Sequence, residues 1–272
     1  MKSFFLFTVM ICAFVITDAQ TKMYINKTSG GTDSIKLDEI KSITFKIPTI
    51  SPIPKNGLVA WYKFDGNTAD SSGNNNHGTN NGATLTMDRF GNQNKAYSFN
   101  GTSNYIQVQP SASLNFSQSF TVSVWSKKIG NKAVEGSLVA TGGAGCAGGF
   151  TLQQRENGVR YEYQDANTAN WCLVFFDTTL GIEDGKWHHF IYIVDGSLKI
   201  ANGWVDGKHI ISDFDLSSES NIGSTHPLLI GKLNVSLNPM PQHFNGTIDD
   251  IYIFNRALSV SDVQALYHEG GW

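Results

Sequence analysis

The sequence has few charged residues and no excess of basic ones. Of its 272 residues, 16% are Asp, Glu, Lys or Arg, and 20 basic against 23 acidic residues leave a formal net charge of −3. Proteins that bind nucleic acids or anionic membranes present a basic surface to the phosphates. The composition therefore argues against both classes of partner.

Long hydrophobic runs are missing after the first 20 residues. Residues 4–16 form an apolar run that follows Lys2, and Thr17-Asp18-Ala19 places small residues where a signal peptidase cleaves. The run is shorter than the roughly 20 residues that a membrane-spanning helix needs. We therefore predict a signal peptide over residues 1–19, no membrane span, and a protein that is secreted or associated with the cell surface.

Cysteine is scarce, and two of the three cysteines, Cys146 and Cys172, remain after the predicted cleavage. A pair of cysteines in an exported protein usually forms a disulfide, so we predict one here. A reactive thiol is the alternative, but neither cysteine has a His or Lys close in sequence. Zinc spacing is absent, and the adjacent His188 and His189 would face opposite sides of a strand.

Motifs of catalysis are also missing. No H-E-x-x-H occurs, and the G-x-G-x-x-G match at 143–148 continues into a strand pattern, whereas a dinucleotide site needs a helix there. Glu162 and Asp165 are three residues apart, and Asp249 and Asp250 are adjacent, so each pair diverges on a regular strand. We therefore predict that the protein is not an enzyme.

Glycine and aromatic residues, by contrast, are abundant: the chain has 27 Gly, and 12% of its residues are aromatic. Residues 20–47 alternate polar and apolar side chains around a Ser-Gly-Gly turn, which predicts a short β-hairpin leader. Residues 48–56 contain three prolines in total and predict a semi-extended linker. From residue 57 onward, the pattern is that of strands.

The strand patterns predict an all-β fold. "SFTVSVWS" alternates apolar and polar residues, "KWHHFIYIVD" is apolar on both faces and predicts an interior strand, and Asp206-Gly207 predicts a hairpin turn. The helical pattern "LSVSDVQALYHEGG" follows, with Ser259 as cap and Asp262 at the capping-box position. Many short strands with one C-terminal helix indicate a β-sandwich or jelly roll.

An ordered series of segments resembles one family. "GLVAWYKFDGNTADSSGNNNHGT", "RFGNQNKAYSFNGTSNYIQV", "SFTVSVWSKK", "DGKWHHFIYIVDGS", "WVDGK" and "FNGTIDDIYIFNRALSVSDVQALYHEG" are similar to laminin-G-like, concanavalin A-like domains. The resemblance covers residues 57–270 and departs at Trp204, where Tyr is more frequent. It implies a two-sheet antiparallel jelly-roll sandwich that binds carbohydrate or protein, with a structural Ca²⁺ in some members.

A calcium site is one expectation. The loop after the first strand contains Asp65, Asn67 and Asp70, and the resemblance implies that the last strand brings Asp249 or Asp250 beside it. Such oxygen ligands suit Ca²⁺. Asx side chains also make turns by bonding their own backbone, which is the competing interpretation. The spacing does not match an EF-hand loop.

A sugar site is a second expectation, because sugars bind exposed aromatic rings flanked by oriented polar groups. Residues 150–172 offer Gln153, Arg155, Tyr161, Tyr163 and Trp171. Core packing of the two tyrosines is the alternative interpretation. Trp171 is the favoured exposed ring, in an Asn-rich loop. Three tryptophans in strong strand patterns are expected in the core: Trp61, Trp125 and Trp187.

The favoured function is a secreted, non-catalytic module that binds a glycan at a cell surface or in a matrix. The alternative is an adhesive or structural domain that binds proteins. A polysaccharide hydrolase or lyase is disfavoured because no carboxylate pair has a suitable spacing.

Overall fold

A computed structural model of the protein divides the chain into two compact units, residues 1–49 and 50–272. The structure describes residues 22–26, 32–36, 52–116, 118–129, 136–142, 148–155, 158–164, 172–177, 179–182, 184–216, 223–233 and 243–272. In the first unit, strands β1 (Lys22–Asn26) and β2 (Thr32–Lys36) pair antiparallel. The predicted signal peptide and residues 48–51 of the Pro-rich linker lie outside the described residues.

Two antiparallel sheets form the second unit. The eight-stranded sheet has the spatial order β15 (Lys208–Asp215), β14 (Ile200–Val205), β13 (His188–Asp195), β8 (Phe120–Lys128), β17 (Asn245–Phe254), β6 (Ala96–Asn100) and β5 (Thr84–Thr86), with β3 (Leu58–Tyr62) also paired to β17. The seven-stranded sheet has the order β12 (Cys172–Asp177), β11 (Gly158–Gln164), β10 (Gly149–Arg155), β9 (Gly136–Gly142), β16 (Leu228–Ile230), β7 (Tyr105–Val108) and β4 (Gly78–Asn81). The predicted two-sheet antiparallel jelly-roll sandwich is confirmed.

The main core lies between the two sheets and follows from the alternation in β8. Phe120, Val122 and Val124 all point inward and are fully buried. The ring of Phe120 stacks on that of Phe150 in the facing sheet, with centroids 4.8 Å apart, and meets Tyr192 edge-on at 5.3 Å. Alternating strands on two sheets thus bury one continuous apolar layer.

Two local predictions are confirmed by the backbone. β13 is an interior strand between β8 and β14, which explains why both of its faces are apolar. Asp206 and Gly207 both have positive φ, 49° and 69°, and connect β14 to β15 between the paired Val205 and Lys208. Two central residues with positive φ are the requirement of a type I′ hairpin turn.

A second, smaller core lies on the outer face of the eight-stranded sheet, under helix α1 (Val260–Tyr267). Ser259 and Asp262 form the predicted capping box at its start. Val263 and Leu266 pack within a cluster that includes Tyr252 of β17. In the described part of the chain, no helix has the length and hydropathy to cross a bilayer.

Candidate functional site

Asp70 organises the Asn-rich loop that follows β3 by accepting four hydrogen bonds. Its Oδ1 accepts the backbone N–H groups of Trp61 at 2.9 Å and Ser72 at 2.8 Å. Its Oδ2 accepts the backbone N–H of Asn76 at 3.0 Å and the hydroxyl of Ser72 at 2.9 Å. These donors use both oxygens of the carboxylate, so Asp70 holds the loop closed against β3.

The other two predicted ligands in this loop also have partners within the protein. Asn67 Oδ1 accepts the backbone N–H of Ala69 at 2.8 Å, which is an Asx turn. Asp65 forms an exposed ion pair with Lys95 at 3.0 Å. The turn-forming interpretation of Asn67 and Asp70 therefore describes their contacts.

Asp249 and Asp250 converge on a single guanidinium group. Nη1 of Arg89 lies 3.1 Å from Asp249 Oδ2 and 2.5 Å from Asp250 Oδ2, and Nη2 lies 3.4 Å from Glu269 Oε2. The Arg89 side chain has no exposed surface, and that of Asp249 is 2% exposed. We call these four residues the Arg89 cluster. It joins the segment between β5 and β6, strand β17 and the residues after α1.

A β-bulge explains why two adjacent aspartates share one partner. Against β8, Asp249 is opposite Trp125 and Tyr252 is opposite Ser123, so β17 carries one extra residue between the two pairs. Asp250 lies in this bulge with a φ of 35°, a region that Asp tolerates better than most residues. The prediction that the two carboxylates diverge is wrong, because it assumed a regular strand.

The five predicted calcium ligands do not form one site. β17 does pair with β3, as the resemblance implied, with Tyr252 opposite Trp61. However, Arg89 occupies the position between Asp249 and Asp250 that a cation would need. Among the residues that the structure describes, no group of three or more His, Cys, Asp or Glu side chains is arranged to hold a metal. These contacts give the predicted ligand set no support, and Ca²⁺ binding stays a prediction.

Burial dominates the electrostatics of the Arg89 cluster. It raises the pKa of Asp249, and the charge of Asp250 raises it further, while Arg89 opposes both effects. Burial also raises the pKa values of Asp250 and Glu269, again against the charge of Arg89. Three carboxylates share one guanidinium, so the cluster favours protonation of at least one carboxyl group.

The Arg89 cluster contacts an aromatic stack. The guanidinium of Arg89 lies over the buried Trp125 ring, 4.8 Å from its centroid. The Trp125 ring stacks on His189 at 4.7 Å and on Tyr267 at 5.9 Å, and meets Trp272 edge-on at 4.9 Å. Burial, together with the charge of Arg89, lowers the pKa of His189 to about 3, so this imidazole is neutral. The stack ends at a surface pocket.

The pocket has a volume of about 470 Å³ and lies where the C-terminal segment meets the ends of β8 and β13. Three aromatic residues line it, Trp187 before β13, Tyr267 at the end of α1, and Trp272. Trp187 and Tyr267 are half-buried, and Trp272 is 39% exposed. The expectation that Trp125 lies in the core is confirmed, whereas Trp187 faces this pocket.

Ionisable side chains and Gly185 form the rest of the pocket wall. His188 lies between two carboxylates: its Nδ1 is 2.8 Å from Asp206 Oδ2, and its Nε2 is 3.0 Å from Asp184 Oδ1. Burial alone would lower the pKa of His188, but the hydrogen bonds and charges of the two aspartates together raise it. Lys186 pairs with Asp184 at 3.0 Å, and Lys127 Nζ lies 5.5 Å from the Trp187 ring centroid.

Two of the predicted ligand residues on β10 and β11, Gln153 and Tyr161, are buried. Tyr161 is fully buried and donates its hydroxyl to the backbone carbonyl of Trp204 at 3.0 Å. Gln153 is 1% exposed, and Arg155 is half-buried. Tyr161 shares the inward face of β11 with Val159, so the core interpretation is correct for this tyrosine and the ligand prediction for Tyr161 and Gln153 is wrong.

The remaining predictions for this region fall on residues whose side chains are not described. Trp171 and Cys146 lie outside the described residues, and only the backbone of Tyr163 and Cys172 is described. The predicted disulfide and the exposed tryptophan therefore stay predictions.

Sequence reasoning missed both Arg89 and the pocket. Arg89 occurs in a polar loop, and its partners Asp249 and Asp250 follow 160 and 161 residues later. The sequence pairs His188 with His189 only as candidate metal ligands, but His189 is buried whereas His188 lines the pocket. The sequence signal that could have located the pocket is the hairpin turn predicted at Asp206. Because β14 pairs antiparallel with β13, the turn after β14 lies next to the start of β13, where His188 is.

A sequence model described as the concanavalin A-like lectin/glucanases superfamily matches residues 100–264, more than half of the chain. The chain belongs to the concanavalin A-like lectin/glucanase superfamily. The stated resemblance is therefore confirmed at the level of this superfamily. No curated protein matches the sequence.

Solved structures with a similar fold include two binding domains. The binding domain of Paraclostridial Mosquitocidal Protein 1 is 20% identical, with a TM-score of 0.62, over 79% of this chain and 52% of that one. The botulinum neurotoxin serotype D ligand-binding domain, solved with N-acetylneuraminic acid, is 14% identical, with a TM-score of 0.63 and the same coverage of both chains. The match thus spans about half the length of these two binding domains.

A third similar structure is matched over nearly its whole length. Domain 4 of AbnA, an extracellular arabinanase from Geobacillus stearothermophilus, was solved in complex with arabinotriose. It is 23% identical, with a TM-score of 0.59, over 77% of this chain and 98% of that one. At these identities, the similarity establishes the fold.

Proposed function

We propose that the protein is a secreted, non-catalytic module that binds carbohydrate in the pocket formed by Trp187, Tyr267 and Trp272. The observation that carries the proposal is the combination of these three rings with charged and polar groups around one opening of about 470 Å³. Sugar sites combine an apolar face with a few oriented hydrogen-bonding groups, and this pocket offers both.

The pocket chemistry suits a sugar ring. Trp272 offers an exposed indole against which the C–H face of a sugar can pack. Asp184 and Asp206 are positioned by His188, so they offer oriented acceptors to hydroxyl groups. Lys127, beside the Trp187 ring, adds a hydrogen-bond donor.

The similar structures support a glycan as the ligand. One was solved with arabinotriose and another with N-acetylneuraminic acid. Both are described as domains of larger proteins rather than as catalytic centres, which is consistent with a non-catalytic role here. Export follows from the signal peptide predicted over residues 1–19.

A glycan array, followed by isothermal titration with arabinotriose and with each glycan that the array selects, tests the proposal. Running the array with Ca²⁺ and with a chelator also tests the predicted calcium dependence. We expect Trp187→Ala to weaken binding about tenfold, which corresponds to roughly 1.4 kcal/mol. Tyr105→Ala, a change of a half-buried ring on the seven-stranded sheet, is the matched control. No binding to any glycan, or equal binding by the two variants, would reject the site.

Protein binding is the second candidate, and one surface favours it. Within the described residues, β5 is an edge strand of the eight-stranded sheet. In β5 and the segment after it, Leu85, Met87 and Phe90 are 36%, 48% and 45% exposed. Edge strands with apolar side chains are surfaces on which a partner strand can add. Retention of a binding protein by the wild type and its loss in Met87→Lys, with no glycan selected on the array, would favour this function.

A further inference from the structure

The contacts of His188 fix its protonation state. A neutral imidazole has one N–H and one acceptor nitrogen, whereas an ionised carboxylate only accepts. Both ring nitrogens of His188 face carboxylate oxygens, Asp206 Oδ2 at 2.8 Å and Asp184 Oδ1 at 3.0 Å. Both hydrogen bonds form together only when both nitrogens carry a proton. The geometry is therefore that of an imidazolium ion between two carboxylates.

The two carboxylates belong to different segments, and each is also bonded to a backbone. Asp206, in the β14–β15 turn, accepts the backbone N–H of His189 through Oδ1 at 2.9 Å. Asp184, in the loop before β13, accepts the backbone N–H of Lys186 through Oδ1 at 2.9 Å. The imidazolium thus links the 184–187 loop, which carries Trp187, to the β14–β15 hairpin turn.

The other charged groups around the pocket leave the imidazolium in place. Lys186 pairs with Asp184 through Oδ2, the oxygen that His188 does not contact. Lys127 of β8 lies beside the Trp187 ring, and Tyr267 of α1 is the titratable group from the helix. The balance of burial against the two aspartates raises the pKa of His188, in agreement with the contacts.

We propose that His188, as an imidazolium held between Asp184 and Asp206, is a positioning residue that fixes the 184–187 loop against the hairpin turn. Deprotonation of His188 breaks this link and releases the loop, so the pocket loses its shape. The effect on glycan binding rests on the proposed carbohydrate site. The Asp184–His188–Asp206 link is a property of the ligand-free protein. Because the protonated form makes the link, the loop is fixed at low pH and released as pH rises through the titration of His188. Glycan binding is therefore expected to weaken as pH rises.

Nitrogen-15 NMR of the full chain with labelled histidine tests the protonation state without a ligand. At about pH 6, we expect signals of two protonated ring nitrogens for His188, and a titration midpoint above the ordinary histidine value of about 6.5. Asp184→Asn and Asp206→Asn should each lower that midpoint. The matched control is His209→Gln on the same hairpin, because the His209 ring faces the amide oxygen of Asn202. A single neutral tautomer at pH 6 would overturn the proposal.

Amide hydrogen exchange tests the positioning role, again without a ligand. After correction for intrinsic rates, the amides of Lys186 and His189 should exchange about tenfold faster at pH 9 than at pH 6, as expected for local opening. His188→Lys keeps a permanent cation and should remove this pH dependence, whereas His188→Gln should exchange fast at both values. Asp184→Asn, a change at an exposed residue, repeats the test if the histidine variants fold poorly. Protection that is independent of pH in the wild type would contradict a positioning role.

Titration of arabinotriose or of an array-selected glycan between pH 6 and 9 then links the two proposals. Weaker binding at high pH in the wild type, and pH-independent binding in His188→Lys, would support both. If no glycan binds while the NMR and exchange results hold, the proposed function fails and the link stands. Binding that is independent of pH in the wild type would overturn the coupling of His188 to the pocket.

Discussion

Replacing Arg89 by Met removes the one guanidinium that serves three carboxylates. The Arg89 side chain has no exposed surface, and Asp249 and Asp250 are 2% and 15% exposed. Methionine fills much of the same volume without charge. The variant therefore isolates the electrostatic contribution of Arg89 from its packing under Trp125.

The expected loss follows from the burial of the partners. Breaking a buried ion pair by removing one member costs about 3–5 kcal/mol, because the other charge stays buried without compensation. Here two aspartates lose their contact with Arg89, so we expect the free energy of unfolding to fall by about 4 kcal/mol near pH 8. The loss should be smaller near pH 5, since burial raises the pKa values of Asp249 and Asp250 and both can then take up protons.

Urea unfolding of the wild type and Arg89→Met at both pH values measures this difference. The control is the triple variant that also carries Asp249→Asn and Asp250→Asn, in which no charge is left at the bulge. We expect it to recover at least half of the loss near pH 8. A loss below about 1 kcal/mol, the range of an exposed ion pair, would refute the description of a buried cluster. Failure of the triple variant to recover stability would assign the loss to packing.

Three further variants test the electrostatics, the packing and the helix cap. Because the pKa of Asp249 is raised, the folded state keeps a proton that the unfolded state has released above the ordinary carboxyl range. The contribution of Asp249 to stability therefore falls as pH rises, by at most about 1.4 kcal/mol per pH unit for each proton. Asp249→Asn should reduce that slope in urea unfolding. Gly203→Ala should destabilise by about 1–3 kcal/mol, because its Cβ would lie 2.5 Å from the Tyr161 ring, and an unchanged thermal midpoint would contradict this contact. Ser259→Ala should cost about 0.5–2 kcal/mol through loss of the helix cap, with Ser261→Ala as the control; equal thermal midpoints for these two variants would exclude a role for the capping box.

The parts of the fold that were predicted correctly depend on neighbours in sequence. The alternation in β8, the Asp206-Gly207 turn and the Ser259 capping box each involve residues within a few positions of one another. Local geometry decides these features, because backbone conformation and side-chain direction repeat at short range. The order of the segments then identified the superfamily.

The site was predicted less well, for a physical reason that Asp249 and Asp250 illustrate. A regular strand places adjacent side chains on opposite faces, and a bulge cancels that rule. The bulge leaves no clear pattern in the sequence, and the partner Arg89 lies 160 residues away. The same holds for Tyr161, whose inward direction depends on which face of β11 meets the other sheet.

The sequence by itself determined an all-β sandwich, its terminal helix and its hairpin turn. The tertiary structure decided what the polar residues do, since only folding brings Arg89 to the bulge in β17 and Asp184 and Asp206 to the two sides of His188. The physical reason is that backbone preferences act over a few residues, whereas charge pairing and pocket shape depend on distances in space. Asp249 and Asp250, expected to separate, thus belong to one buried cluster, and the pocket lies beside it, at the end of the aromatic stack.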